Sequence, residues 1–515
     1  MKRLGRPALV LTAVLATGAA THSHAVATTP AATIPHPNAA VVTIGRIPTG
    51  NRIPSGFVGV SLEYKTLLSA ERPGASGADP VLAQLIRNLA PGQTPIVRIG
   101  GDSTDWTWWP VRGIRPPRGV SYGLSPGWIA SARALATSAG ARLILGLNLE
   151  SGSPAIAATE ARHFVDGLGR RRIEALEIGN EPELYNALPW YHTPAGLPIF
   201  GRPAGYGPAT YAAEFSAFAR VLPAVPLAGP STGSSAWISA LGRLIGADPT
   251  LRMATFHAYA LNPSGDAFRG HNCSTPRSDP AHPTVATLLA AYASRGLLHD
   301  LSPAVALAHS HGLTVRVDEM NAVTCAGTRG VSNTAASALW ALDALFVLAE
   351  AGVDGVNIHT WRGSAGKLFD VHLRDDRWVG SVRPEYYGLL MFARAMPPGS
   401  RLLPVVRVNR GELRSWAVLA PHNSLRVVLI NDNLTRGRWV IVRPPMALGE
   451  AQLERLDTPG AHARKGITLG GQSVGPRTTT GLLAGSPGVT LLQPIAGEYV
   501  VRLPPASAAL LTVAG

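Results

Sequence analysis

At 515 residues the chain is too long for one ordinary domain and suits a large domain joined to a smaller one. Hydrophobic residues make up 46% and charged residues 15%, with 55 Gly and 43 Pro, which fits a loop-rich globular protein and argues against a disordered chain or a purely helical array. The formal charge of +14 comes from scattered arginines with no nucleic-acid motif beside them, so it reads as a solvated surface, with a polyanionic substrate as the alternative, and no nucleic-acid partner is expected.

Lys2, Arg3 and Arg6 precede an apolar stretch over 8–20, and Ala25-Val26-Ala27 follows with small residues. This pattern predicts a secretory signal peptide over 1–27. A membrane anchor is the alternative, for which the apolar stretch is short. The expected location is therefore secreted or periplasmic, with no stable membrane insertion after cleavage. Residues 28–40 are rich in Pro, Thr and Ala and read as a flexible leader. Cys273 and Cys325 are the two cysteines, and an exported chain permits one disulfide between them; two free thiols are the alternative.

The run at 41–47 has no helical partner and is expected to join a β domain at the far end of the chain, with that N-terminal strand region spanning 41–53. Over 54–384, eight short apolar runs then alternate with helical stretches. The runs are 57–62, 96–100, 143–149, 173–178, 225–229, 253–259, 314–319 and 355–360. The helical stretches include 81–89, 127–138, 156–167, 209–221, 235–245, 300–311 and 333–351. Eight strands alternating with helices over this length predict an α/β fold, a (β/α)8 barrel. A doubly wound open sheet is the alternative, but Gly100-Gly101-Asp102 after the second run is not a phosphate-binding fingerprint. Over 385–515 the texture changes to short alternating runs separated by Gly and Pro, which predicts a C-terminal all-β sandwich domain.

In a (β/α)8 barrel the chemistry sits at the C-terminal ends of the strands. Strand four ends in Gly179-Asn180-Glu181-Pro182 and strand seven in Asp318-Glu319, so two carboxylates face each other across one mouth. Cleaving a glycosidic bond needs such a pair, one protonating the leaving oxygen and the other attacking the sugar or activating water. Arg98 and Tyr259 end neighbouring strands and are candidate donors to Glu319; for Arg98 a structural pairing with Glu177 is the alternative. Glu63 and Asp105 would accept from sugar hydroxyls, since ionised carboxylates only accept. Trp361 would stack on a sugar face or pack against the barrel. His257 and His359 share strand faces with Tyr259 and Trp361, but no His-Glu-x-x-His motif or third ligand accompanies them, so neither a metal nor any other cofactor is expected.

The segment Ile178-Gly179-Asn180-Glu181-Pro182, with a Glu ending strand seven, resembles the clan of retaining (β/α)8 glycosidases. That resemblance implies Glu181 as acid/base, Glu319 as nucleophile and Asn180 as a ligand of the sugar 2-hydroxyl. The segments 97–105, with Trp108-Trp109, and 330–340 resemble glycoside hydrolase family 79, which includes β-glucuronidases and heparanases. The family implies an exo-acting β-glucuronidase with a glucuronide or related carbohydrate as substrate, and recognition of the uronate carboxylate by Tyr and Gly groups after strand seven. Here that loop, 321–327, has no Tyr and offers Gly327. The alternatives are the same chemistry on a neutral glycoside, endo-action on an acidic polysaccharide, and a non-catalytic carbohydrate-binding protein.

Overall fold

The computed structural model describes residues 38–68, 79–261, 282–408, 411–446 and 449–515. The signal-peptide region 1–27, most of the leader and Cys273 lie outside these residues, so the pairing of Cys273 with Cys325 does too.

Eight parallel strands close into a barrel in chain order. They are β1 (Val58–Glu63), β2 (Ile96–Gly100), β3 (Arg142–Leu147), β4 (Ile173–Ile178), β5 (Leu227–Thr232), β6 (Leu251–Leu261), β7 (Thr314–Val323) and β8 (Gly355–Thr360). Closure comes from β8 pairing with β1, Val356 opposite Val58. The strands are buried on both faces, which is why they read as continuous apolar runs instead of alternating ones. The open doubly wound sheet is thereby excluded.

Four of the outer helices, Pro80–Leu89, Pro126–Ala139, Pro154–Leu168 and Pro208–Ala219, begin on proline. The first N–H of a helix has no partner, so proline loses nothing there. Asp79 caps the first of these through the N–H groups of Val81 and Leu82, and Ser125 caps the second through Trp128. The expected helix at 235–245 is two helices, Ser235–Ser239 and Leu241–Ala247.

Helix Ala335–Glu350 is buried along its length up to Ala349. It packs between the barrel and the C-terminal sheets, where Phe346 stacks on Trp416 at 5.5 Å and Trp416 Nε1 donates to Asp343 at 2.8 Å. Its first N–H groups are satisfied from outside: Ala335 donates to Ala463 O (2.7 Å) and Ala336 to Ala461 O (3.0 Å). Glu385–Ala395, at the start of the segment assigned from texture to the β domain, is a helix that packs on Ala335–Glu350. Its apolar residues run all the way round, so it has no solvent face to mark it as a surface helix.

Beyond it, two sheets face each other. One is ordered Val405–Val408, Ala40–Ile44, Arg438–Arg443, Tyr499–Leu503; the other is built on Leu413–Leu419, Leu425–Asn431, Ser507–Val513 and Ala451–Asp457. The N-terminal strand lies parallel to Arg438–Arg443, Val42 opposite Val442. Val42, Val440 and Val501 from the first sheet meet Val427, Leu429 and Leu511 from the second in one core.

Candidate active site

The C-terminal ends of the barrel strands converge on a fully buried arginine, Arg98 of β2. Its Nε donates to Glu177 Oε2 on β4 at 2.7 Å and lies 2.9 Å from Asp318 Oδ2 on β7. Nη1 donates to Glu319 Oε2 at 2.8 Å and to Ser61 Oγ on β1 at 3.2 Å. Nη2 donates to Asn180 Oδ1 at 2.8 Å and to Ser231 Oγ on β5 at 3.0 Å. The planar fork of a guanidinium can serve several acceptors at fixed angles. The two expectations for Arg98, a donor to Glu319 and a partner of Glu177, hold together in one side chain.

Asp318 and Glu319 are adjacent, so strand alternation would send them to opposite faces. A bulge brings both inward. Phe256 pairs with Val317 while the next residue, His257, pairs with Glu319, leaving Asp318 as the extra residue. No donor reaches either Asp318 oxygen or Glu177 Oε1 by ordinary geometry. Glu177 and Asp318 also lie within hydrogen-bond reach of each other, a contact that two carboxyls make only by sharing a proton. Burial and the Glu177 charge push the Asp318 carboxyl well up, and the Arg98 guanidinium overcomes burial to hold Glu177 below the ordinary range.

Glu319 receives the Tyr259 hydroxyl on Oε1 at 2.6 Å and Arg98 on Oε2 at 2.8 Å, with His359 Nδ1 at 3.8 Å from Oε2. Burial alone would raise its pKa; His359, His257 and Arg98 outweigh burial and hold it at about 2. The group is therefore a buried anion at neutral pH.

Glu181 follows the strand-four end in a left-handed conformation, φ 46°. The turn is made possible by Gly179 at φ 86°, where a side chain would strike Tyr185 Oη at 2.7 Å and Leu149 Cδ2 at 2.8 Å. The Glu181 N–H donates to Ser231 O at 2.8 Å, and Glu181 Oε1 lies 2.8 Å from His257 Nδ1. His257 Nε2 sits 3.0 Å from Ser231 Oγ. One oxygen of Glu181, one nitrogen of His257 and one oxygen of Glu319 all lie within 4.8 Å of one another. The two carboxyls are thus near neighbours across the mouth, as a pair that acts together on one glycosidic bond must be. The two histidines face carboxylates, His257 on Glu181 and His359 between Glu63 (3.4 Å) and Glu319.

The remaining expected residues divide. Asn180 is buried beside the pair, held by Arg98. Glu63 lies at the rim of the same mouth, where Oε2 accepts the Ser103 N–H at 3.0 Å and Oε1 faces His359. Trp361 is half-buried just beyond β8. Asp105 is different: Oδ1 accepts the N–H groups of Leu149 (2.9 Å) and Glu150 (3.0 Å) and Oδ2 the Tyr185 hydroxyl (2.7 Å). It ties together the loops after β2, β3 and β4, and its oxygens are taken up by the protein instead of a sugar. Gly327, expected as a backbone donor, closes a turn onto Thr324 O at 3.0 Å, so its N–H is engaged by the chain itself. Sequence reasoning did not assign His257, Ser231 or Asp318. His257 was legible as the residue two before Tyr259 on the same strand face. Ser231 lies beyond Pro230, where the apolar run breaks off, and nothing in the sequence marks the bulge at Asp318.

Comparison with solved structures aligns 91% of this chain with all of a 4-O-α-L-rhamnosyl-β-D-glucuronidase from Fusarium oxysporum 12S, at 16% identity and a TM-score of 0.69. The chain shares the fold of this enzyme. A GH51 arabinofuranosidase from Xanthomonas axonopodis pv. citri aligns over 92% of this chain and 99% of its own, at 15% identity and a TM-score of 0.61. The catalytic domain of GH30 xylanase C from Talaromyces cellulolyticus aligns over 92% of this chain and 100% of its own, at 12% identity and a TM-score of 0.52. At these identities the likeness is one of fold. No family model matches the sequence, and no curated protein does. No helix among the described residues is long and apolar enough to cross a membrane.

Proposed function

We propose that the protein is an exported retaining glycoside hydrolase that acts on β-glucuronides, with Glu181 as acid/base and Glu319 as nucleophile. The observation that carries the chemistry is the close pair: an anionic Glu319, held by Tyr259 and Arg98, within 4.8 Å of a Glu181 oxygen. In the first step the Glu181 carboxyl gives its proton to the glycosidic oxygen as Glu319 attacks the anomeric carbon. The aglycone leaves as an alcohol, and a glycosyl ester forms on Glu319. In the second step Glu181, now a carboxylate, takes a proton from water. The water oxygen attacks the anomeric carbon, and the Glu319 carboxylate is released with configuration retained. Tyr259 and Arg98 suit the return of charge to Glu319, because both already point donors at its oxygens.

Glucuronide preference is supported by the likeness to family 79 in 97–105 and 330–340 and by the fold shared with a rhamnosyl-glucuronidase. A neutral glycoside is the second reading. It is favoured by the loop after β7, which has no Tyr and whose Gly327 N–H is already bonded.

Aryl β-glucuronide, α-arabinofuranoside and β-xyloside substrates separate the two. Turnover of the glucuronide is expected; turnover confined to a neutral substrate would replace it. Glu319→Ala is expected to abolish turnover with the fold intact, and products trapped in methanol should keep the anomeric configuration by NMR. Inverted product, or full activity in Glu319→Ala, refutes the mechanism.

A further inference from the structure

Ser231, on β5, is fixed in the mouth through its backbone. It stands in the left-handed region at φ 56°. Its N–H donates to Thr255 Oγ1 at 3.1 Å, and its carbonyl accepts the Glu181 N–H at 2.8 Å. Its buried hydroxyl has two partners among the described residues, Arg98 Nη2 at 3.0 Å and His257 Nε2 at 3.0 Å. What each group can donate or accept fixes the roles along this chain. A guanidinium only donates, so Ser231 Oγ accepts from Arg98. The single hydroxyl proton is then left for His257 Nε2. A proton on Nε2 instead would point toward Arg98 Nη2, itself an N–H donor 3.4 Å away, and would leave the buried Ser231 O–H without an acceptor. Asp318 Oδ1 lies 3.9 Å from Nε2, too far to accept from it.

We propose that Ser231 is a positioning residue that holds His257 in the tautomer with its proton on Nδ1. The inference rests on the assignment of Glu181 as acid/base. The hydrogen bond made by one ring nitrogen of a histidine decides which nitrogen carries the proton. Nδ1 lies 2.8 Å from Glu181 Oε1, so in this tautomer it donates to that oxygen. The carbonyl oxygen of the Glu181 acid then faces His257, and the acid proton is carried on Oε2. In the opposite tautomer Nδ1 is a bare acceptor. It would draw the Glu181 proton onto itself as a hydrogen bond and turn it away from the glycosidic oxygen. Ser231 thereby keeps that proton for the leaving group in the first step. The same Nδ1–H serves the second step, where it donates to the Glu181 carboxylate.

NMR of the protein labelled with 15N-histidine, at neutral pH, tells a protonated ring nitrogen from a bare one by chemical shift. The His257 signals are assigned by their loss in His257→Asn. Wild type should show a protonated Nδ1 and a bare Nε2, and Ser231→Ala should move the Nε2 signal toward the protonated range. A wild-type proton on Nε2, or a Ser231→Ala spectrum with the wild-type pattern, overturns the proposal. The pattern is read without substrate. If it appears in a protein that cleaves no glycoside, the tautomer stands and the hydrolase reading falls. Kinetics test the consequence on the aryl glycosides that the wild type turns over. Ser231→Ala should lower kcat/KM about tenfold for a weakly acidic phenol leaving group, which needs the proton, and less for a strongly acidic one, which does not. Equal falls for both leaving groups mean a structural role only and overturn the proposal. In a His257→Asn background the amide N–H can face Glu181 without Ser231, so Ser231→Ala should cost less there than in wild type. An undiminished loss in that background also overturns it.

Discussion

Two arginines are buried in the same barrel, and they are treated in opposite ways. Arg98, at the C-terminal mouth, touches Glu177, Asp318 and Glu319. Arg316, on the same β7 that carries Glu319 but at the N-terminal floor, forms no ion pair among the described residues. Its Nε donates to the Asn357 side chain, and Nη2 donates to Gly56 O at 2.8 Å. Burial pulls Arg316 down to about 10, against the more distant Glu174, Asp318 and Asp354, whereas the carboxylates around Arg98 overcome its burial and hold it well above its ordinary value. Both are cations at neutral pH, but only at the mouth do acids close on the guanidinium itself. The floor cavity of about 310 Å³ beside Arg316 is lined by Arg142, Glu174, Met253 and Asp354, with Arg142 and Glu174 already paired at 2.9 Å. Neutral dipoles suffice where a charge has only to be buried. A cluster of acids around a guanidinium is needed where one of them must stay anionic next to another that carries a proton. The asymmetry agrees with the general rule that barrel chemistry sits at the C-terminal face and stability at the other.

Arg98→Met should break that contrast hardest. It leaves buried carboxylates without their cation, which costs about 3–5 kcal/mol, and it removes a donor from Glu319, with a loss of activity on the order of 10²–10³-fold. Urea unfolding at neutral pH and initial rates read the two effects separately. Arg316→Met should cost about 1–3 kcal/mol, the range for acceptors left unsatisfied, with kcat/KM within about twofold. If the floor variant lost activity as the mouth variant does, the division between the two ends would be wrong.

Acid titration sharpens the same contrast with a somewhat smaller effect. Glu319 is depressed from 4.5 to about 2. A carboxyl depressed in the folded state binds fewer protons there than in the unfolded chain. The stability it contributes is complete above about pH 4.5 and is lost as pH falls toward 2. The difference in unfolding free energy between wild type and Glu319→Gln, measured from about pH 6 to about pH 2, should therefore shrink on acidification by up to about 3 kcal/mol. A difference that stays flat across that window would mean that Glu319 is not held as an anion.

Much of this is legible in the sequence. The runs at 96–100, 173–178 and 355–360 are the strands β2, β4 and β8 without adjustment, because fully buried parallel strands leave uninterrupted apolar runs. The helix starts drift by a residue or two, because proline at the first helical position looks in sequence like a break. The paired glutamates were visible because both stand at strand ends. What alternation cannot supply is a bulge, and so Asp318 was hidden behind Glu319. Nor does a sequence tell which acid at a strand end faces the opening. Glu63 and Asp105 looked equivalent, yet three protein donors converge on Asp105. Gly327 was read by its position in a loop, whereas its N–H closes a turn inside that loop.

The smallest expected effect asks which of the acids around Arg98 carries the charge. If Asp318 is the neutral member and Glu177 the ionised one, Asp318→Asn keeps a donor toward Glu177 and removes no charge, and should change stability by less than about 1 kcal/mol. Glu177→Gln, almost the same size of change on the other side of the shared proton, removes the anion that Arg98 Nε reaches at 2.7 Å. It should cost about 3 kcal/mol, because it takes a partner from a buried charge. Parallel unfolding of the two amide variants at neutral pH decides it. Equal losses, or a larger loss in Asp318→Asn, would place the proton on Glu177 and reverse the assignment at the centre of the mouth.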